Sequence, residues 1–150
     1  MMTFMSLWGS ESATRFLSGA LKRDERDVAA LVDAVRARRR EHPAPPYTYV
    51  AGVERACEWL DRQGTHAGWA PFTGDMVRPD AAGIEGELRT GRRMIEFVEW
   101  QPQSPAELEE RQRRLGRYRT DDTAAVLRGA LDTLEWVRGA RADPPALNWP

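Results

Sequence analysis

The chain has 150 residues, of which 41% are apolar and 30% are charged, so it is long enough to form one domain with its own hydrophobic core. Its 22 basic and 23 acidic residues give a formal net charge of -1, which excludes an overall basic field that would attract nucleic acid or an anionic membrane. The single cysteine, Cys57, excludes an intramolecular disulfide and favours a cytoplasmic location. The apolar start is too short for a signal peptide or a membrane span. We expect one domain over residues 1–150, with residues 1–9 and 143–150 as flexible or packed tails.

Apolar residues at helical spacing predict three helices in the first half of the chain. The first is expected from about Ser10 to Lys22. The second begins after Asp24, which has the side chain of a helix cap, and it ends before Pro43 with arginines in its last turn. The third runs from about Thr48 to Gln63, and Gly64 is expected to provide a left-handed stop.

Three further helices are predicted in the second half. Asp80 is expected to cap a fourth helix that reaches about Trp100. Ser104 begins a fifth as an N-cap, followed by a proline and by a glutamate that can close a capping box. A sixth spans about Asp121 to Gly139. The fourth helix contains three glycines, each costing about 1 kcal/mol relative to alanine, so either another backbone packs closely there or the helix is partly irregular: Gly83, Gly86 and Gly91.

No segment shows the alternating pattern of a strand bounded by hairpin turns. The expected fold class is therefore all-α, a compact bundle of five or six helices. We expect the helices that contain Trp59, Ile95 and Leu134 at the centre of the bundle.

Two of the predicted helices share a pattern, in which residues 52–60 align with residues 129–137. Gly52 and Trp59 are seven residues apart, as are Gly129 and Trp136, so each pair lies on one helix face. One interpretation is an internal two-fold repeat with a site between its halves; the other is coincidence between two core helices. The segment from Tyr49 to Trp59 resembles a Tyr-x-x-Gly-Val-x-x-Ala-x-x-Trp helix that occurs twice in uncharacterised small helical proteins of high-GC Gram-positive bacteria and their phages. That resemblance implies no activity and no site.

The segment from Gly64 to Pro79 is predicted to be a long loop, and loops of this length are often functional. One interpretation is a binding site; the other is that Trp69 and Phe72 pin the loop to the bundle. Trp100, like Trp8 and Trp149, lies at a predicted element end, where aromatic residues often mark partner surfaces. The candidate binding residues are His66, Trp69, Phe72, Asp75, Arg78 and Trp100.

Basic residues concentrate between Arg111 and Arg119, which offers nucleic-acid binding as an alternative function through Arg113, Arg114 and Arg117. Glutamates four residues earlier argue against it, because they are placed to pair with these arginines: Glu107, Glu109 and Glu110 precede Arg111, Arg113 and Arg114. The other arginine run, from Arg36 to Arg40, is expected to complement a helix C-terminus.

A magnesium-dependent nucleotide hydrolase is the second alternative, because such all-α enzymes hold the metal with carboxylates on facing helices. Two pairs at the right spacing occur here, Glu96 with Glu99 and Asp132 with Glu135. This alternative requires all four to converge on a cavity. Zinc or thiol chemistry is disfavoured, because Cys57 falls on an apolar helix seam and the chain has only two histidines.

No convergent catalytic set, cofactor motif or membrane segment emerges from these patterns. The function we expect is therefore that of a small, non-enzymatic regulatory or accessory protein of bacterial or phage origin. It would act by binding an unidentified protein or a second copy of itself as a homodimer.

Overall fold

The computed structural model describes residues 15–64, 68–116 and 123–147, and within them the fold is all-helical as predicted. The only pairing between extended segments in this part is an isolated antiparallel bridge between Trp69 and Met76. None of the helices in it is both long enough and apolar enough to cross a membrane. The described residues form five helices: α1, Glu25–Glu41; α2, Tyr49–Leu60; α3, Ala81–Glu99; α4, Pro105–Leu115; and α5, Ala124–Val137.

Each helix begins at a polar side chain that accepts a hydrogen bond from an otherwise unpaired backbone N–H. The predicted caps are confirmed at Asp24, Asp80 and Ser104, with acceptor distances of 2.9, 2.8 and 3.1 Å. Thr48, where the third helix was expected to begin, caps it at 3.2 Å. The cap of α5 is Thr123, two residues after the predicted start at Asp121, which lies outside the described residues. Local side-chain chemistry therefore fixes where the helices start.

The first predicted helix is wrong over its described part, residues 15–22, which forms bends and turns. Gly19 has a φ of +75°, a conformation that interrupts a right-handed helix. Phe16 and Ala20 are nevertheless buried, so the apolar pattern was a packing signal from an irregular segment. Residues 10–14 of this prediction lie outside the described part.

The predicted end of α2 is also wrong. The helix stops at Leu60, and Gly64 does not supply a left-handed stop. Asp61 leaves the helix with an extended backbone, φ -87° and ψ 108°, and its carboxylate is bound by Arg15 and Arg36. A tertiary ion pair, which no local pattern shows, thus accompanies the end of this helix.

Helix α3 is continuous despite its glycines. At Gly91 an added Cβ would lie 2.5 Å from the Phe72 ring, and at Gly83 it would lie 1.9 Å from the carbonyl oxygen of Arg78. Gly86 has open space, its nearest neighbour being an Arg89 side-chain nitrogen at 3.7 Å. Two of the three glycines are therefore explained by close approach of the loop that precedes the helix.

The centre of the bundle is the crossing of α2 and α5, which pack against each other most extensively. An added Cβ at Gly52 would lie 2.0 Å from the carbonyl oxygen of Val126, and one at Gly129 would lie 2.0 Å from that of Tyr49. The two glycines thus make reciprocal backbone contacts. The reciprocity describes the crossing, and an origin of the two helices by duplication stays a prediction.

The other helices are arranged around this pair. Helix α1 packs on α2, α3 packs on α5, and α4 packs on α3. Trp59, Ile95 and Leu134 are all buried, but only the helices of Trp59 and Leu134 form the central crossing, and the helix of Ile95 packs against α5. After α5, the segment up to Leu147 packs against the core, so the described part of the C-terminal tail is packed.

Candidate protein-binding surfaces

Residues 68–77, which we call the 68–77 hairpin, fold into a short antiparallel turn. The Ala70 N–H donates to the Asp75 carbonyl at 2.9 Å, and the Val77 N–H donates to the Gly68 carbonyl at 3.0 Å. Gly68 and Gly74 have positive φ angles of 98° and 73°, which glycine adopts without steric cost. The long predicted loop is therefore an ordered structure over this part.

The hairpin is fastened to the bundle at both of its ends. At the turn, Phe72 is buried against Gly91, and the buried carboxylate of Glu87 in α3 accepts hydrogen bonds from the Phe72 and Thr73 N–H groups at 2.9 and 3.1 Å. At the base, the Trp59 indole N–H donates to the Val77 carbonyl at 2.8 Å. These contacts attach the turn and the C-terminal end of the hairpin to the bundle.

The outer face of the hairpin carries two large apolar side chains. Trp69 is 57% exposed and Met76 is 69% exposed, and they are neighbours across the antiparallel bridge. The interpretation in which Trp69 and Phe72 both pin the loop is thus half right, because Phe72 alone is buried. Trp69 contributes apolar surface that the fold itself does not cover.

A groove of about 390 Å³ lies beside this face, between the hairpin base and the segment that precedes α1. Its apolar lining includes Leu17, Trp59 and Val77, and its charged lining residues are Arg62 and Arg78. Asp75 is exposed at the hairpin turn and does not line the groove, and His66 lies outside the described residues. The structure therefore brings Trp69, Met76 and Arg78 to one surface.

Trp100 is not part of this surface. It lines a second groove, of about 530 Å³, between the C-terminal end of α3 and helix α4. We call it the α3–α4 groove; its lining residues are Glu96, Phe97, Glu99, Trp100, Glu110 and Arg114. Of the predicted binding residues, Trp69 and Arg78 therefore lie at the hairpin and Trp100 lies at the α3–α4 groove, whereas Phe72 is buried.

The arginines of α4 make intramolecular contacts in the described part. Arg113 and Arg114 both bind Glu110, and they hold the pKa of that carboxyl down at about 2. The expected pairing of Glu107 with Arg111 is wrong, because Arg111 donates to the Phe97 and Val98 carbonyls at 2.9 Å. Arg117, the third arginine predicted for nucleic-acid binding, lies outside the described residues.

Glu107 serves the start of α4 instead. Its carboxylate accepts a hydrogen bond from the Gln103 N–H at 2.5 Å, while its own N–H donates to Ser104 Oγ. This is a capping box displaced by one residue from the predicted form, in which the glutamate would bind the N–H of the cap residue itself.

The four carboxylates of the magnesium alternative do not gather around a metal site. Glu99 binds Arg128 at 2.9 Å, Asp132 binds the Tyr49 hydroxyl at 2.7 Å and Arg141 at 3.1 Å, and Glu135 lies 3.9 Å from Arg92. Glu96 is exposed. Over the described ranges, no three carboxylate, histidine or cysteine side chains are grouped so that they could hold a metal ion.

Cys57 is fully enclosed in the core, with 1% of its surface exposed. Burial raises the pKa of its thiol well above the ordinary value, which keeps it protonated and unreactive. Its predicted position on an apolar seam is confirmed.

Sequence reasoning missed an ionic network that joins the segment before α1, helix α1 and the end of α2. Arg15 binds Asp61 at 2.8 Å and Asp33 at 3.0 Å, and Arg36 binds Asp61 and also Glu58 at 3.1 Å. Arg36 therefore does more than complement its own helix end. The signal for this network was the pair of carboxylates at the end of α2, where the helix dipole disfavours negative charge unless cations from elsewhere compensate it.

Comparison with known proteins adds no relative: no protein-family model matches the chain, and no curated protein or solved structure shows significant similarity to it.

Proposed function

We propose that this protein is a small, non-enzymatic accessory protein that binds another protein through the outer face of the 68–77 hairpin and the groove beside it. The observation that carries the proposal is the exposed pair of Trp69 and Met76 on a hairpin that the bundle holds in place. Tryptophan anchors contribute strongly to protein interfaces, and methionine adapts to irregular apolar surfaces.

Rigid support increases what such a pair contributes to affinity. A partner that covers a mobile loop must first order it, which costs about 0.5–1.5 kcal/mol for each immobilised side chain. Here the backbone bonds to Glu87 and the indole bond to Val77 fix the hairpin before any partner binds. The free energy gained by burying Trp69 and Met76 is therefore available for binding.

The charge beside the apolar face indicates the chemistry of the partner. Arg78 lines the groove, and none of its described lining residues is acidic. A protein segment that presents a carboxylate next to an aromatic or branched apolar side chain would complement it. We therefore assign the occupant to an acidic, apolar segment of a different protein.

A second copy of the chain fits this face less well. A two-fold interface pairs a patch with the same patch of the other copy, which would bring two copies of Arg78 together with no acidic side chain among the described lining residues. Like charges at an interface oppose association.

The test is selection of peptides from a random display library against the full chain alone, after which the affinity of the selected peptides is measured for the wild type and for a Trp69→Ser/Met76→Ser variant. Peptides that combine an acidic residue with an apolar one are expected, and a Arg78→Glu variant should reduce their binding about tenfold or more. Leu108→Ser is the matched control, because Leu108 is 43% exposed in α4, away from the hairpin.

Three outcomes would contradict the proposal. Selected peptides could bind the Trp69→Ser/Met76→Ser variant as well as the wild type, or lose as much affinity on Leu108→Ser, or contain no acidic residues. Light scattering of the purified chain gives a further check, since a stable dimer that dissociates on Met76→Ser would assign the face to self-association.

A further inference from the structure

The α3–α4 groove has a composition that differs from the hairpin face. Two half-buried aromatic rings, Phe97 and Trp100, lie among three carboxylates, and Arg114 is the one basic residue among the described residues that line the groove. We propose that this groove binds a cationic side chain of a partner peptide, an arginine in particular. The inference does not rest on the function proposed for the hairpin, because it concerns other residues and the opposite charge.

The chain already shows how a guanidinium is accommodated there. The guanidinium carbon of Arg114 lies 5.4 Å from the centre of the Phe97 ring, within the range of a cation–π contact, and its Nε lies 2.5 Å from a Glu110 carboxylate oxygen. An aromatic face and a carboxylate thus act together on one cation. Trp100, on the same groove, offers a second ring with the stronger cation affinity of indole.

Charge at the end of α3 supports a cationic occupant. The last turn of this helix carries Glu96 and Glu99 and no basic residue of its own, although the helix dipole favours cations at this end. Glu99 is compensated by Arg128 at 2.9 Å, and Arg111 binds two carbonyls nearby. The carboxylate of Glu96 is exposed and has no ion-pair partner among the described residues.

The fold also restrains the two walls of the groove from separating. Arg111 ties α4 to the Phe97 and Val98 carbonyls, so α4 cannot move away from the end of α3 without breaking two hydrogen bonds. An arginine side chain of a partner would lie flat on a ring and bring its charge towards Glu96, which gives both orientation and charge neutralisation. Arg114 competes for the same space, because it covers Phe97 from within the chain.

The probe for this site is a short fluorescein-labelled peptide of alternating arginine and glycine, and its neutral counterpart has citrulline in place of arginine. Binding is measured by fluorescence anisotropy at about 0.15 M salt, where distant surface charges are screened. The arginine peptide is expected to bind and the citrulline peptide to bind at least about tenfold more weakly.

Two variants of the groove should weaken the binding of the arginine peptide, and a control variant should not change it. Trp100→Leu and Glu96→Gln are each expected to weaken binding of the arginine peptide about three- to tenfold. Glu96 is exposed and glutamine has the same shape, so this variant keeps the test informative even if Trp100→Leu destabilises the fold. Glu25→Gln, at the exposed start of α1, is the matched control and should leave the affinity unchanged.

Arg114 supplies the sharpest comparison. Arg114→Ala should strengthen binding about threefold because it uncovers Phe97, whereas Arg113→Ala removes the same charge from the same Glu110 but leaves the ring covered, so it should give a smaller gain. Equal gains from the two variants would show that only net charge matters and would overturn the proposal. So would equal binding of the citrulline peptide, or an affinity that Glu96→Gln and Trp100→Leu leave unchanged.

Discussion

Replacing Gly52 with alanine is expected to destabilise the protein, although alanine is the better helix former. The new Cβ would lie 2.0 Å from the Val126 carbonyl oxygen and 2.9 Å from the Ala130 nitrogen, both of which belong to the backbone of α5. An ordinary contact at this position begins at 3.4 Å, so the two helices would have to separate by more than an ångström. No side-chain rotation can relieve a clash between backbones.

The magnitude follows from two opposing terms. Overpacking in a close-packed core costs roughly 1–3 kcal/mol, and the upper end applies because a whole helix pair must move. Alanine returns about 1 kcal/mol through its helix propensity. We expect a net loss of about 2 kcal/mol in the free energy of unfolding, and hence a melting temperature lower by about 4–8 °C for a chain of this size.

The measurement is urea unfolding followed by circular dichroism, with two related variants beside it. Gly129→Ala should cost as much as Gly52→Ala, because its Cβ would meet the Tyr49 carbonyl oxygen at the same 2.0 Å. The double variant should cost less than the two losses added, since one displacement of the helices relieves both clashes.

Gly86→Ala is the control for helix propensity, because its Cβ would enter open space. This variant should gain up to about 1 kcal/mol in stability. The reasoning would be refuted if Gly52→Ala were as stable as the wild type, or if the Gly52 and Gly129 losses were simply additive.

Three further predictions concern single residues. Burial alone would raise the pKa of Asp61, but hydrogen bonds from Arg15 and a backbone N–H and the charge of Arg36 hold it below its ordinary value of 3.8. Its stabilising effect is therefore present above about pH 4 and lost as the pH falls further. Asp61→Asn should cost about 1.5–3 kcal/mol in urea unfolding near neutral pH, because Arg15 and Arg36 keep Asp33 and Glu58 as partners, and it should reduce the dependence of stability on acid. Glu87→Ala should leave two hairpin N–H groups unpaired, so that hydrogen exchange accelerates in residues 72 and 73 while α2 and α5 stay protected. Cys57 should resist maleimide in the native protein and react in urea, because burial raises its thiol pKa; rapid native labelling would contradict its position in the core.

The helices were predictable from the sequence because their signals are local. A cap such as Ser104 acts on a backbone N–H three residues away, and the apolar spacing of α5 directly reflects the face that it buries. The segment before α1 had the same spacing without being a helix. There Gly19 takes a left-handed conformation that interrupts a helix. Phe16 is buried in an irregular segment, so its apolar side chain fits the helical spacing although no helix forms.

The candidate sites were less predictable, because they depend on residues that are distant in sequence. Phe72 rather than Trp69 faces inward because Gly91 leaves space for its ring and because the carboxylate of Glu87 binds its backbone N–H. Both residues belong to the next helix. The pairing of Arg15 with Asp61 spans 46 positions and has no local signature. The spacing of four residues predicts Glu107 as the partner of Arg111, but Arg111 instead donates to two carbonyl groups at the end of α3.

Glu87 gives a physical reason to regard the hairpin face as more than incidental surface. Burying a carboxylate is costly, and the cost is offset here by charge-assisted bonds from two backbone N–H groups. An apolar side chain would have sufficed to cover Phe72, so the distinctive effect of the carboxylate is to fix the conformation of the turn. A fixed turn holds Trp69 and Met76 in the solvent with little freedom left to lose. Glu87→Ala should therefore weaken the binding of the display-selected peptides to the hairpin face, even though it removes no atom of that face. An unchanged peptide affinity would show that the rigidity of the turn plays no part in binding.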